Sequence, residues 1–232
     1  MSNCPQCDTP LEYQEESNSW YCQTCQQQVQ NTAADQAPQS AGPTTLALQQ
    51  FSGSQFTIKQ KKLAIANKYF VSDASGQTVA FVQQKMLKLK EDIRVYTDDS
   101  KSTEIMRIQQ ANILDFSGSF NVIDSQTEEV VGVLKRKGLK SMLKDEWKIL
   151  DGNQQEVGLI KEQGGLIWLL RRFNMRFIPY KYFVELQGQR AATVTEKFQI
   201  IGDTYIVDLH DSTLDPRLGV AIGLMMDIGE GE

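Results

Sequence analysis

Lysine and arginine are absent from the first 54 residues of this 232-residue chain, where Asp8, Glu12, Glu15, Glu16 and Asp35 are the only charged side chains. All 24 basic residues lie from Lys59 onward and face the other 24 acids. The formal charge of −5 therefore belongs to the N-terminal part, and the remainder is balanced. Nucleic-acid binders usually carry a net basic domain or stripe, so no nucleic-acid partner is expected. Histidine is nearly absent too. His210 stands alone, which excludes His-rich catalytic metal sites and two-imidazole proton relays, and a Ser-His-Asp set would have to use it. The chain has no nucleophile elbow, P-loop or dinucleotide fingerprint, and the expectation is a protein that is not an enzyme. No stretch approaches the roughly 20 apolar residues of a spanning helix. The start shows no signal peptide, since its first apolar run is short and lacks basic residues. The expected location is the cytoplasm, with peripheral contact to a membrane.

Cysteine is confined to Cys4, Cys7, Cys22 and Cys25. The pattern C-x2-C-x14-C-x2-C gives two knuckles, each able to present both sulfurs on one side. Joined by a short hairpin they make a tetrahedral four-sulfur site that suits structural zinc and leaves no open position for catalysis. Disulfides would need an oxidising compartment, and a redox Cys-x-x-Cys would not need a second copy. Trp20 and Tyr21 precede the second knuckle as a strand packed over the metal. Residues 3–27 resemble the zinc-ribbon family, whose knuckles often carry Gly after the second Cys. Here Asp8 and Gln26 occupy those places, so the turns are made without glycine.

The organisation expected is a ribbon at 1–27, a flexible linker at 28–52 and a globular domain at 53–232. The linker is rich in Gln, Ala, Ser, Thr and Pro, too polar to order itself. Leu46, Leu48 and Phe51 near its end are candidates for docking on the domain, and a short helix around 44–50 is the other reading. From Gln55 onward one pattern recurs: an alternating strand, an Asp-rich turn, a second alternating strand. Copies start at Tyr69, Ile93, Phe120, Trp147 and Tyr182, and a single strand follows from Thr204. Such alternation argues half-buried antiparallel strands, and Ser75-Gly76 and Asp151-Gly152 carry hairpin-turn chemistry. Roughly a dozen strands in hairpins predict a closed or nearly closed barrel, because closure removes exposed edges. Asp215-Pro216 is a helix start. Residues 218–226 are then apolar all round, as in a helix inside a core or a bilayer. A helix over 216–228 would be only about 20 Å long, so burial is preferred. Gly219 and Gly223 would then let the barrel wall approach, although G-x-x-x-G in a membrane marks helix pairing.

Residues 68–99 (KYFVSDASGQTVAFVQQKMLKLKEDIRVYTDD), 135–143 (KRKGLKSML) and 214–228 (LDPRLGVAIGLMMDI) resemble the tubby C-terminal-like superfamily, in its LURP-one-related and phospholipid scramblase branch. The resemblance covers about residues 50–230. It implies a mainly β fold, a twelve-stranded antiparallel barrel around a buried hydrophobic C-terminal helix, and a link to membranes or phospholipids. Function does not come with the fold.

Three surfaces are candidates. In residues 164–183, Leu166, Leu169, Leu170, Phe173 and Phe177 share one helical face, and Arg171, Arg172, Arg176 and Lys181 supply charge. Trp168, Tyr180 and Tyr182 suit a headgroup interface. A structural crossover with solvated arginines has the same pattern. The run Lys135, Arg136, Lys137, Lys140 and Lys144 suits anionic lipid, or a solvated hairpin offset by Asp145 and Glu146. Tubby proteins bind phosphoinositides through basic side chains, but no residue-by-residue match exists. Asp203, Asp208, Asp211 and Asp215 offer oxygens to calcium. Their spacing is not that of an EF-hand, and Asp215 is more simply a helix cap. The function expected is a membrane-proximal or phospholipid-binding module. The alternative is a scaffold whose tethered acidic ribbon recruits a protein partner.

Overall fold

The computed structural model describes Cys4, Cys7, Thr9 and residues 12–14, 19–29, 44–62, 66–85, 92–111, 118–137, 146–163, 179–197 and 202–230. These form two compact units, Met1–Thr44 and Thr45–Glu232. The first holds a three-stranded antiparallel sheet of β1 (Glu12–Gln14), β2 (Ser19–Cys22) and β3 (Gln27–Val29), with β2 central.

The second unit begins inside the segment expected to be linker. Thr45 caps α1 (Leu46–Gln50) by accepting the Leu48 N–H at 3.3 Å, the usual role of a threonine at that position. Ala47 and Phe51 are fully buried, and Phe51 meets Phe56 edge-to-face at 5.7 Å. These apolar groups offset the cost of ordering this segment.

Twelve strands follow: β4 (Gln55–Lys62), β5 (Ala66–Asp73), β6 (Thr78–Lys85), β7 (Asp92–Tyr96), β8 (Glu104–Gln110), β9 (Ser119–Asp124), β10 (Val130–Arg136), β11 (Glu146–Leu150), β12 (Glu156–Glu162), β13 (Lys181–Leu186), β14 (Gln189–Lys197) and β15 (Thr204–Leu209). Each pairs antiparallel with its sequence neighbour, and β15 pairs with β4 to close the barrel. Alternation sets the register. In β4, Phe56, Ile58 and Gln60 point inward and are buried, while Gln55, Lys59 and Lys61 are exposed. α2 (Pro216–Glu230) fills the interior, and every residue from Arg217 to Ile228 is buried. A Cβ added at Gly219 would stand 2.7 Å from Leu209 Cδ2, and one at Gly223 2.6 Å from Ile58 Cδ1. The two glycines therefore serve the approach of the barrel wall. Among the described residues no helix is long and apolar enough to cross a membrane.

Up-and-down topology sends connections alternately to two ends. At one, here the turn end, lie the tight turns after β5, β7, β9, β11 and β13 and the entry to α2. At the other, the connection end, segments 63–65, 86–91, 112–117, 138–145, 164–178 and 198–201 join the strands. These segments lie outside the described residues.

Candidate metal centre and basic surfaces

The first unit brings the four cysteines together. Cys4 Sγ is 3.9 Å from Cys25 Sγ, Cys7 Sγ is 3.4 Å from Cys22 Sγ, and all four sulfurs lie within 4.8 Å of one another. A tetrahedral ion with metal–sulfur bonds of about 2.3 Å needs sulfurs about 3.8 Å apart, so the donor set fits one in number and spread. A disulfide would need about 2.05 Å. Cys4 N–H donates to the Thr9 carbonyl at 2.8 Å, and Cys25 N–H lies 3.4 Å from Cys22 Sγ, which shapes each knuckle. Gln26 follows the second knuckle at φ +51°. It adopts the left-handed conformation that glycine would take at no steric cost. The thiols titrate apart. The Thr9 hydroxyl and backbone draw Cys7 down to about 6. The contact with Cys7 and burial push Cys25 up to about 12. Four thiolates cannot share this volume without a cation, and a bound dication would release their protons.

The basic candidates fall on the barrel. Lys135 and Arg136 end β10, and Lys137 follows them. Lys181 opens β13. All four are therefore at the connection end. Lys137 pairs with Glu146 at 2.9 Å. Arg136 lies 5.9 Å from the Trp147 ring centre, and Lys181 lies 5.6 Å from that of Phe183. Lys140, Lys144, Trp168, Arg171, Arg172 and Arg176, with the apolar set Leu166 to Phe177, lie outside the described residues. Tyr182 corrects an expectation. It is 2% exposed inside the barrel, with Tyr180 stacked on it at 6.1 Å, and not at an interface. The inward register of β13 decides this, because Tyr182 faces Val194 of β14.

The acidic set does not gather either. Asp203 precedes β15 at the connection end and pairs with Lys62 at 2.8 Å. Asp208 accepts from Gln55, Asp211 from the Thr213 N–H, and Asp215 from Arg217. With Asp203 at one end and Asp211 and Asp215 at the other, the four cannot share a calcium ion. Among the described residues, the cysteines alone are grouped for a metal.

Charge divides between the ends instead. The turns hold Asp73, Asp98, Asp99, Glu128, Glu129 and Asp151, against Lys101. The strand ends opposite hold Lys59, Lys61, Lys68 and Lys197 besides the basic candidates, against Asp92, Glu146, Glu162, Glu196 and Asp203, which leaves that end net basic. Sequence reasoning missed these four lysines. The i, i+2 spacing of Lys59 and Lys61 within an alternating strand was the available signal. Asp227 was missed as well, although it is the lone acid within the apolar run from Leu218 to Ile228. It is 5% exposed near the end of α2 and accepts from Gln60 Nε2 at 2.9 Å.

No curated protein matches this chain. Among solved structures, an X-ray structure of a protein from Arabidopsis thaliana aligns with a TM-score of 0.42 and 11% identity, covering 75% of this chain and 91% of that one. The family model described as LURP-one-related matches residues 54–227. That match runs from the first barrel strand nearly to the end of the enclosed helix, and by it the chain belongs to the LURP-one-related family.

Proposed function

We propose that this protein is a non-catalytic, membrane-proximal module whose barrel binds anionic phospholipid through its connection end. One observation carries the reading: the barrel is electrically polar. Strands β10 and β13 bring Lys135, Arg136, Lys137 and Lys181 to the connection end. The acidic turns are at the other end. An anionic surface attracts one end and repels the other, and each basic side chain near it contributes about 1 kcal/mol. The test is flotation with vesicles of phosphatidylcholine alone and of phosphatidylcholine with one-third phosphatidylserine. Recovery with the anionic vesicles is expected, and recovery with neither sinks the reading. Replacing Arg171, Arg172 and Arg176 by Glu should abolish flotation on anionic vesicles. Unchanged flotation would remove that segment from the contact.

In this reading Cys4, Cys7, Cys22 and Cys25 hold structural zinc. Their four-sulfur set and spacing support it, and binding of about 10–16 kcal/mol would stabilise a unit with almost no core of its own. Purified protein should contain one equivalent of zinc, lost in the Cys22→Ser variant.

A second reading, a scaffold whose acidic ribbon recruits a protein partner, rests on the separate compactness of Met1–Thr44 and its lack of any basic residue. Pull-down with Glu12, Glu15 and Glu16 changed to Gln tests it. An unchanged partner set would discard the ribbon as recruiter.

A further inference from the structure

The outward register of β14, β15, β4 and β5, close to the connection end, gathers Lys197, Lys59, Lys61 and Lys68. Lys59 lies opposite Thr204 on one side and Phe70 on the other, and Thr204 lies opposite Lys197. Lys61 lies directly opposite Lys68. Directly opposed residues hold their Cβ atoms about 4.5–5.5 Å apart, and like charges placed so are destabilising. Second neighbours along a strand are about 7 Å apart, so the four ammonium groups share one patch of wall.

No carboxylate offsets them. Lys59, Lys61 and Lys197 are exposed and, among the described residues, make no ion pair. Lys68 lies over the Phe81 ring at 5.8 Å. The nearby acids are engaged elsewhere: Asp203 by Lys62 at 2.8 Å, and Glu196 by the Tyr180 N–H at 2.8 Å. The opposite wall differs. There Lys137, Lys148 and Lys161 each have a glutamate within 2.9 Å.

Thr204 supplies an independent observation. It is 4% exposed, and its hydroxyl has no hydrogen-bond partner. A buried hydroxyl is normally paired. This one stands in the cross-strand row between Lys197 and Lys59, in the outward register. The hydroxyl is covered, so an oxyanion reaches it only as the side chains over it move aside, and it then accepts from the hydroxyl and from the ammonium groups on both sides.

We infer that the outer wall formed by Lys59, Lys61, Lys68, Lys197 and Thr204 binds the phosphate groups of an anionic bilayer. The inference rests on the membrane reading above and names a second contact within it. Bilayer headgroups are favoured over a small soluble phosphate by the position of the patch. β4 and β10 stand across the twelve-stranded ring from each other, each ending in bases at the same barrel end. A planar anionic surface meets both at once, whereas a small ligand meets one.

The test is flotation of the full chain with the same two vesicle compositions. The combined variant Lys59→Gln, Lys61→Gln, Lys68→Gln should lose about a hundredfold in partitioning to anionic vesicles, from the contribution of each lysine near such a surface. Lys101→Gln, at the turn end, should change it less than about twofold. Thr204→Val should weaken partitioning several-fold without lowering the melting temperature, since it removes an unpaired hydroxyl. A triple variant that floats like the wild type overturns the proposal. Unaltered partitioning of Thr204→Val overturns the assignment of a phosphate site there. If the wild type itself fails to float, the membrane reading falls. Titration with inorganic phosphate, followed by the amide signals of residues 59, 61, 68 and 204, then decides the patch: shifts confined to them reassign it to a soluble phosphate compound, and no shifts discard it.

Discussion

Asp227 is held by a chain of neutral groups. Gln60 Nε2 donates to its Oδ2 at 2.9 Å and to Tyr69 at 3.1 Å, and Tyr69 donates to Gln84 at 3.2 Å, while Gln60 Oε1 has no partner. Burial pushes the Asp227 carboxyl up to about 7. The charges of Asp203 and Glu196 add to this, and Tyr69 and Lys62 oppose it. A carboxyl raised in the folded state binds its proton more tightly there than in the unfolded chain. Its ionisation therefore costs stability, and the cost grows as pH rises from about 4 through 7. Asp227→Asn should remove most of this dependence and raise the melting temperature at pH 8.5 far more than at pH 5.5. The new amide can also donate to Gln60 Oε1 once that side chain turns over. Equal shifts at both pH values would show that Asp227 is not the titrating group. Asp124 is the opposite case. Burial alone would raise it, but the Thr45 hydroxyl at 2.6 Å, Arg217 at 2.8 Å and the N–H groups of Gln126 and Thr127 hold it below the usual range. Arg217→Met should cost about 3–5 kcal/mol by leaving Asp124 buried without its cation. Asp124→Asn added to it removes the charge and keeps an acceptor for the neighbouring N–H groups, and should recover a large part, as read by denaturant unfolding of both single variants and the double.

The turns repeat one device that the sequence half discloses. Asp73, Asp98 and Asp151 each accept a backbone N–H two residues on, at 2.9 Å. The third residue after each, Gly76, Lys101 and Gln154, is left-handed. The aspartates are legible as turn formers. The left-handed site is not, because glycine marks it only once. Asp151-Gly152 carries hairpin-turn chemistry, yet the positive φ is at Gln154. Legibility follows the same line elsewhere. Cys spacing, strand alternation and the apolar helix announce themselves within a few residues of chain. The pairing of Asp124 with Arg217 depends on how the enclosed helix packs, and the facing of Lys61 and Lys68 on the register of the β4–β5 hairpin. Phe51 was ambiguous for want of a visible partner, and Phe56 supplied it. α2 offers the sharpest check at this scale. Gly223→Ala would place a methyl 2.6 Å from Ile58 and 2.7 Å from Val207, and overpacking of this kind costs about 1–3 kcal/mol. A melting temperature lowered by several degrees is expected. Were the helix loosely held, alanine's better helix propensity would raise it instead.

The whole chain sets an acidic unit and a polar barrel against each other. Met1–Thr44 carries five acids and no base, and Thr45–Glu232 is balanced in total yet divided between its ends. If the barrel docks on an anionic surface as proposed, that surface repels the first unit while it attracts the connection end, so the acidic unit should oppose the proposed docking. Changing Glu12, Glu15 and Glu16 to Gln and Asp35 to Asn leaves the cysteines and the barrel untouched. Partitioning to phosphatidylserine vesicles should rise several-fold at low salt, where the screening length is about 30 Å at 0.01 M. At 1 M it shrinks to about 3 Å, and the variant and the wild type should become indistinguishable as both dissociate. Weaker partitioning of the neutralised variant at low salt would contradict this balance. It would mean that the acidic unit works for the docked state, which is the behaviour of a recruiting module and not of a charge the barrel must overcome.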